Sequence, residues 1–432
     1  MSFSNRNNRV PKVLVFSQNR DQAPMTPMAN IEKDTFHHFL ISGQGVYIFT
    51  LEKEKENKKE TNIQAGKKVK IKLLNKEHND GLILEIGSNF ISLTQIKDLK
   101  VLKKIETTGI IPNTNAFYWF SLDSHNMIFR YGIGEARLET QTFEYKFDYS
   151  KDFVNKGNLK TKNDLRSFLQ SISDIKVEAK DVIKPLKILR DPVVLDVPLC
   201  VKDTAELTMT DIAENKYLPS ANLSPVAKKL YDNIAGPNFV LNTPDFPEFA
   251  EAIEYSINNN NGWCYKKLRE KSTEFGPKEN LSQTYLRITL GANSGESPGV
   301  PYVMEIWPPG HYSPIHNHAG ANAIIRVLHG EVTVKLFRFL EEYQGYAVKT
   351  FSKGDITWIS PELNQIHQLK NLDSNSDTCI TIQCYMYDIE DEIHYNYFDY
   401  LNDIDDIEHF DPDSDADFIE FKKIIKKEWE SR

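Results

Sequence analysis

The sequence predicts a mainly β protein of two units: an antiparallel β-sandwich, then a β-barrel or jelly roll entered through short helices. Three observations carry this. From residue 36 to about 149, short runs of alternating apolar and polar residues recur between Gly, Asn and Asp, the period-two signature of half-buried strands. Two helical patterns follow, at 224–235 and 243–263. Beyond Leu281 short strands return at roughly regular spacing, as in closed or double-sheet β architectures. A chain of 432 residues is also long for a single core.

The elements can be justified in order. Residues 1–30 read as disordered or poorly tethered. Residues 31–150 form the sandwich, with strands in "FHHFLISGQGVYIFTL", "KKVKIKLL", "DGLILEIG", "NFISLTQI", "AFYWFSLD", "NMIFRYGIG" and "FEYKFDYS". The charged stretch "LEKEKENKKETNIQAGKK" (51–68) is expected to be an exposed loop. Residues 151–215 read as a mixed linker. Within them "KNDLRSFLQSISDI" (162–175) suggests a short helix, and the proline-bearing "VIKPLKILRDPVVLDVPLC" an extended connector. Ser224 is the expected N-cap of the 224–235 helix, whose Val226, Leu230 and Ile234 recur at spacing four. The barrel is expected over 216–400. Residues 401–432 are expected to be an acidic tail that ends in a helix at 418–430.

Composition narrows the function. Hydrophobic residues make up 40% and aromatics 11% of the chain, enough for a packed interior. A formal charge of −9 argues against nucleic-acid or membrane-surface binding. Part of the acidic excess is local, in "DIEDEI" (388–393) and "DIDDIEHFDPDSDADF" (403–418), the character of solvated faces or tails. No stretch approaches the ~18 apolar residues of a membrane span. The polar start "MSFSNRNNRVPK" lacks an apolar secretory core. The four cysteines form no CxxC, so a reducing, cytoplasmic setting is expected.

Four of the eleven histidines fall in "HYSPIHNHAGANAIIRVLHG" (311–330). His316 and His318, one residue apart, would share a face of a strand and could grip one cation. Gly310 stands six residues before His316, and Gly330 twelve after His318. Gly354, His367 and Asn371 follow. This spacing resembles the two cupin motifs, in which the histidine pair and a third histidine come from different barrel strands. The resemblance implies a metal site at His316, His318 and His367. The acidic ligand of the first motif would fall at Ala323. Three neutral imidazoles without a carboxylate suit several metals, zinc and nickel among them, and leave a ferrous ion open to a soft thiolate.

From there the chain resembles the cysteine dioxygenase family over roughly 215–400. "WPPGHYSPIHNH" matches that family's tryptophan-to-histidine spacing. "TYLRITLG" places Tyr285 and Arg287 where the family contacts the substrate carboxylate. Tyr385, in "TIQCYMY", matches its active-site tyrosine. The resemblance implies non-heme Fe(II), a small thiol and dioxygen as reactants, and L-cysteine as the favoured substrate. Another thiol acid such as 3-mercaptopropionate and a non-catalytic metal-binding module are the alternatives. Arg287 would offer a planar fork to a carboxylate, with Tyr285 beside it. Two departures stand out. The tyrosine cross-link of animal members cannot form at Ala323. The family's relay histidine is Gln383, which can hold a hydroxyl but cannot shuttle a proton near neutral pH. Cys384 should face away from Gln383 and Tyr385, into packing.

The bland readings are specific as well. His311 and His329 read as solvated or turn histidines, and the adjacent His37 and His38 make a poor chelate. The region 117–135 is faintly similar to farnesoic-acid-methyltransferase-type sandwich domains, which implies an interaction module with an unidentified protein or ligand.

Overall fold

The computed structural model describes residues 37–51, 68–111, 114, 116–149, 161–178, 183–290, 301–375, 377–388 and 397–432. The expectations for residues 1–30 and for most of the 51–68 loop lie outside these. The chain is mainly β, and both sheets of its first half are antiparallel. One has six strands, in the order His37–His38, Ile172–Val177, Lys68–Asn75, Gly81–Gly87, Ile91–Gln95 and Lys100–Ile105. The other has five: Ile183–Leu189, Gln44–Leu51, Phe117–Asp123, Ile128–Ile133 and Gln141–Lys146. Alternation decides which face is buried. In Lys68–Asn75 the residues Val69, Ile71 and Leu73 are buried, while Lys68, Lys70 and Lys72 point outward. The inward rows of both sheets meet in one core that includes Phe49, Phe120, Phe129 and Tyr131.

The 151–215 stretch corrects the linker expectation. Thr161 and Asp164 form a reciprocal capping box that starts the helix Lys162–Ser171. That helix ends four residues before the expected 175, because Ile172–Val177 pairs with Lys68–Asn75 as a strand of the sandwich. Ile183–Leu189 is also a strand, paired with Gln44–Leu51. Its proline is tolerated because the strand lies at the sheet edge, and the register shifts between Pro185 and Lys187.

The second half holds the expected barrel-like layers. An eight-stranded sheet runs Leu218–Pro219, Cys200–Lys202, Ile356–Ile359, Asn322–His329, Cys379–Met386, Tyr302–Trp307, Leu286–Leu290 and Ala416–Asp417. A six-stranded sheet runs Ala347–Ser352, Glu331–Leu336, His367–Lys370, Ile315–His316, Phe398–Leu401 and Ile407–Phe410. Trp307, Val327 and Cys379 of the first sheet pack against Val334, Leu336 and Leu369 of the second. Helix Pro225–Ile234 begins where expected: the Ser224 hydroxyl accepts from Ala227 N at 3.1 Å. The 243–263 pattern resolves into the shorter helix Phe249–Asn258, followed by Trp263–Glu270.

The last 32 residues are not a tail. Ile407–Phe410 pairs with Phe398–Leu401, which in turn pairs with the strand that carries His316. Ala416–Asp417 extends the other sheet beside Ile288 and Thr289. The terminal helix Phe418–Glu430 is capped by Asp417 and buries Phe421 and Ile425, each worth about 2 kcal/mol of apolar burial. The acidic residues are used locally. Asp415 accepts from Arg287 N at 2.7 Å and from Lys271 Nζ at 3.2 Å.

Candidate metal centre

Three short elements deliver three imidazoles to one point. His316 pairs directly with His367 on one side and with Tyr400 on the other. His318 lies just past the strand, which covers only Ile315–His316. A turn therefore aims it, not plain strand alternation. In that turn Ala321 N donates to His318 O at 2.9 Å, and Ala319 takes a left-handed φ of 49°. Asn317 anchors the turn: its Nδ2 donates to Asp399 Oδ2 at 3.2 Å, and its Oδ1 accepts from Asp399 N.

The ring centroids of the three histidines lie 4.7–4.9 Å apart, a nearly equilateral triangle. One ring nitrogen from each falls within 4.8 Å of the others, so the three histidines can hold a metal ion. Their partners favour such an ion. The carbonyl of Pro314 lies 3.0 Å from His316 Nδ1, and that of Asn364 lies 3.0 Å from His367 Nδ1. Each carbonyl assigns the proton to Nδ1 and frees Nε2 as a lone pair. His367 Nε2 then points at His318 Nε2 across 3.2 Å, an arrangement that a shared cation satisfies. His318 Nδ1 is buried without a hydrogen-bond partner.

Electrostatics keep the rings neutral. Burial, then the neighbouring His367, pulls His316 down to about 3. Burial pulls His367 down to about 4. His318 falls well below its ordinary value through burial and both neighbouring imidazoles. Metal ligation needs the unprotonated ring, and this pocket supplies it.

The other expected residues lie in the same pocket. Arg287 and Glu305 sit opposite each other on adjacent antiparallel strands, and Arg287 Nη1 donates to Glu305 Oε1 at 2.6 Å. Glu305 also accepts from Gln383 Nε2, and the Tyr385 hydroxyl donates to Gln383 Oε1. All four side chains are buried. Burial pulls the Arg287 guanidinium down, but Glu305, Tyr285 and Tyr385 together outweigh it and hold the group charged. Burial raises the Glu305 carboxyl, with Arg287 and Gln383 opposing. Tyr285 stacks on Trp307 at 4.1 Å. Tyr385 stacks on His318 at 5.5 Å. Ala323, where the cupin acid would fall, sits directly opposite Tyr385. Cys384 turns away, its Sγ 3.5 Å from Leu230 O, as strand alternation requires. His311 closes a turn onto Pro308 O at 3.0 Å, in keeping with the solvated-or-turn expectation, and Thr284 O lies 2.9 Å from its Nδ1.

Glu305 was missed by sequence reasoning. The signal was a lone acid in the apolar strand "YVMEIW", and only the partner strand shows what it neutralises. The space left among these side chains is about 20 Å³, room for an ion with a water.

No family model matches the chain. Solved structures resemble about a quarter of it. A cupin 2 domain-containing protein from Halorhodospira halophila is 20% identical over 23% of this chain and 60% of its own, with a TM-score of 0.18. The Cnp3 cupin domain of Schizosaccharomyces pombe is 13% identical over 24% of this chain and 66% of its own, at 0.20. The DMSP lyase DddQ of Ruegeria pomeroyi DSS-3 is 19% identical over 25% of this chain and 49% of its own, at 0.19. The chain thus spans less than two thirds of each. Likenesses this short and distant say nothing about activity. Among the described residues no helix is long and apolar enough to cross a membrane.

Proposed function

We propose that the chain is a metal-dependent dioxygenase that adds both atoms of dioxygen to the sulfur of a small thiol, with ferrous iron on His316, His318 and His367. The observation that carries this reading is the ligand set: three neutral imidazoles within 4.8 Å, two of them buried and His316 half-buried, with no carboxylate among them. Such a set leaves half of an octahedral shell open and favours a soft anionic ligand. Ferrous iron there would supply thiolate binding and oxygen activation. In the net reaction RSH and O2 give RSO2H, with sulfur oxidised and dioxygen reduced.

The chain's own residues orient the thiol. Arg287 and Glu305 form a paired cation and anion beside the histidines. Arg287 Nε is buried without a hydrogen-bond partner, while Glu305 and Tyr285 engage the rest of the guanidinium. A zwitterionic amino thiol matches both members: its carboxylate meets the guanidinium and its ammonium meets Glu305. A thiol acid without an amine brings the same carboxylate but no ammonium to offset its repulsion by Glu305. L-Cysteine is therefore favoured over 3-mercaptopropionate. Tyr385, backed by Gln383, holds its proton firmly, since burial and then Glu305 raise it well above its ordinary value. Its one proton goes to Gln383 Oε1, and it does not act as a base.

One observation favours a second reading, a metal-binding module that does not turn over. The free space of about 20 Å³ fits an ion and a water but no thiol of several heavy atoms. Dioxygen consumption and sulfinate formation by the Fe(II)-loaded chain, with cysteine, cysteamine and 3-mercaptopropionate, decide between them. Sulfinate from cysteine supports the dioxygenase. Stoichiometric iron with no sulfinate from any thiol selects the module.

A further inference from the structure

The turn after strand Ile128–Ile133 of the sandwich enters the barrel. Gly134 takes φ +103°, and a Cβ there would lie 2.8 Å from Arg338 Cβ, so the two units meet backbone to side chain. The next residue, Glu135, is 6% exposed. Its carboxylate accepts from Asn364 N at 2.9 Å, Gln365 N at 2.8 Å and the Tyr346 hydroxyl at 3.1 Å. Arg137, 3% exposed, donates to Asn364 Oδ1 at 3.0 Å and lies 3.8 Å from Glu135.

Both backbone groups held by Glu135 belong to residues that reach the histidines. Asn364 O is the partner of His367 Nδ1 at 3.0 Å. Asn364 itself takes a left-handed φ of 65°, a conformation that persists where its surroundings enforce it. The Gln365 side chain accepts from Gly320 N at 3.0 Å and donates to Ala321 O at 3.0 Å, so it ties down the turn behind His318. One buried carboxylate from the sandwich thus stands behind two of the three imidazoles.

We propose that Glu135 is a positioning residue of the metal centre: it fixes the 364–365 backbone so that His367 and the His318 turn keep ligand geometry. The sandwich is then a brace for the centre. This rests on the three-histidine centre and not on thiol chemistry.

The test uses the full chain and Co(II) alone, titrated by visible absorption with a competing chelator. The wild type is expected to bind one Co(II). Glu135→Gln presents an NH2 where one of two backbone N–H groups needs an acceptor. It is expected to raise the Kd about 10- to 100-fold, the usual effect of losing an outer partner of a metal ligand, and to shift the Co(II) spectrum. Lys187→Ala removes a different contact between the same units, the pair with Glu362, and is expected to leave both unchanged. An unchanged Kd and spectrum in Glu135→Gln, whatever its Tm, overturns the proposal, as does an equal change in Lys187→Ala. Should Glu135→Gln fail to fold, Tyr346→Phe decides. A rise in Kd of about threefold or more supports the role, and no change overturns it. A wild type that binds no Co(II) removes the centre itself and this role with it. Binding without sulfinate removes only the dioxygenase.

Discussion

Arg287 and Glu305 face each other across neighbouring strands and join through a 2.6 Å Nη1–Oε1 contact beside three histidines. The guanidinium that the sequence offers to a substrate therefore already has an internal carboxylate. Replacing Glu305 by Gln leaves a buried cation uncompensated and should destabilise the fold by about 3–5 kcal/mol, read by urea unfolding. The same variant should lower the preference for cysteine over 3-mercaptopropionate, in kcat/KM, by about tenfold, or about 1.4 kcal/mol. A preference that does not move would separate the pair from substrate recognition.

Arg287→Ala should raise KM for cysteine and 3-mercaptopropionate far more than for cysteamine, which has no carboxylate. Steady-state dioxygen consumption measures this. An equal rise for all three would leave Arg287 a structural partner of Glu305.

His367→Ala should take the Fe(II) content of anaerobically purified protein from about one per chain to near zero, because two imidazoles fill too little of an octahedral shell. Metal analysis by mass spectrometry checks it, and retained iron would exclude this ligand set.

Acid should weaken the metal-free fold. The unfolded histidines protonate near their ordinary value of about 6.5, while folded His367 and His316 stay neutral down to about 4 and about 3. Between those limits the unfolded chain binds more protons, so stability falls as pH falls from about 6.5 towards about 3. His367 alone accounts for something on the order of 3 kcal/mol of this. Chemical denaturation from pH 7 to pH 4, compared with His367→Gln, reads the difference. The variant should show a shallower loss.

Gly134→Ala should cost about 1–3 kcal/mol, since the residue has a positive φ and its new methyl meets Arg338. Thermal unfolding of the full chain is the measurement, and a Tm equal to wild type would count against so close an approach.

Local patterns made much of the architecture legible. Alternation of valine, isoleucine and leucine with lysine marks Lys68–Asn75 as a one-sided strand, and Ser224 followed by Pro225 marks a helix start. The spacing of His316, His318 and His367 singles out, before any coordinates, the three histidines that could hold a metal ion. The acidic run at 403–418 misleads, because its carboxylates cap backbone and lysine groups that lie far away in the chain, such as Arg287 N and Lys271.

What the sequence determined by itself is therefore most strands of the sandwich and barrel and the candidate trio of imidazoles, since period-two burial and motif spacing are short-range properties of the chain. What only the tertiary structure decided is the company those imidazoles keep. Glu305 meets Arg287 through cross-strand register, and Glu135 reaches Asn364 across 229 positions of sequence. Such pairings depend on how sheets and units pack, and no local pattern encodes the partner of a buried charge.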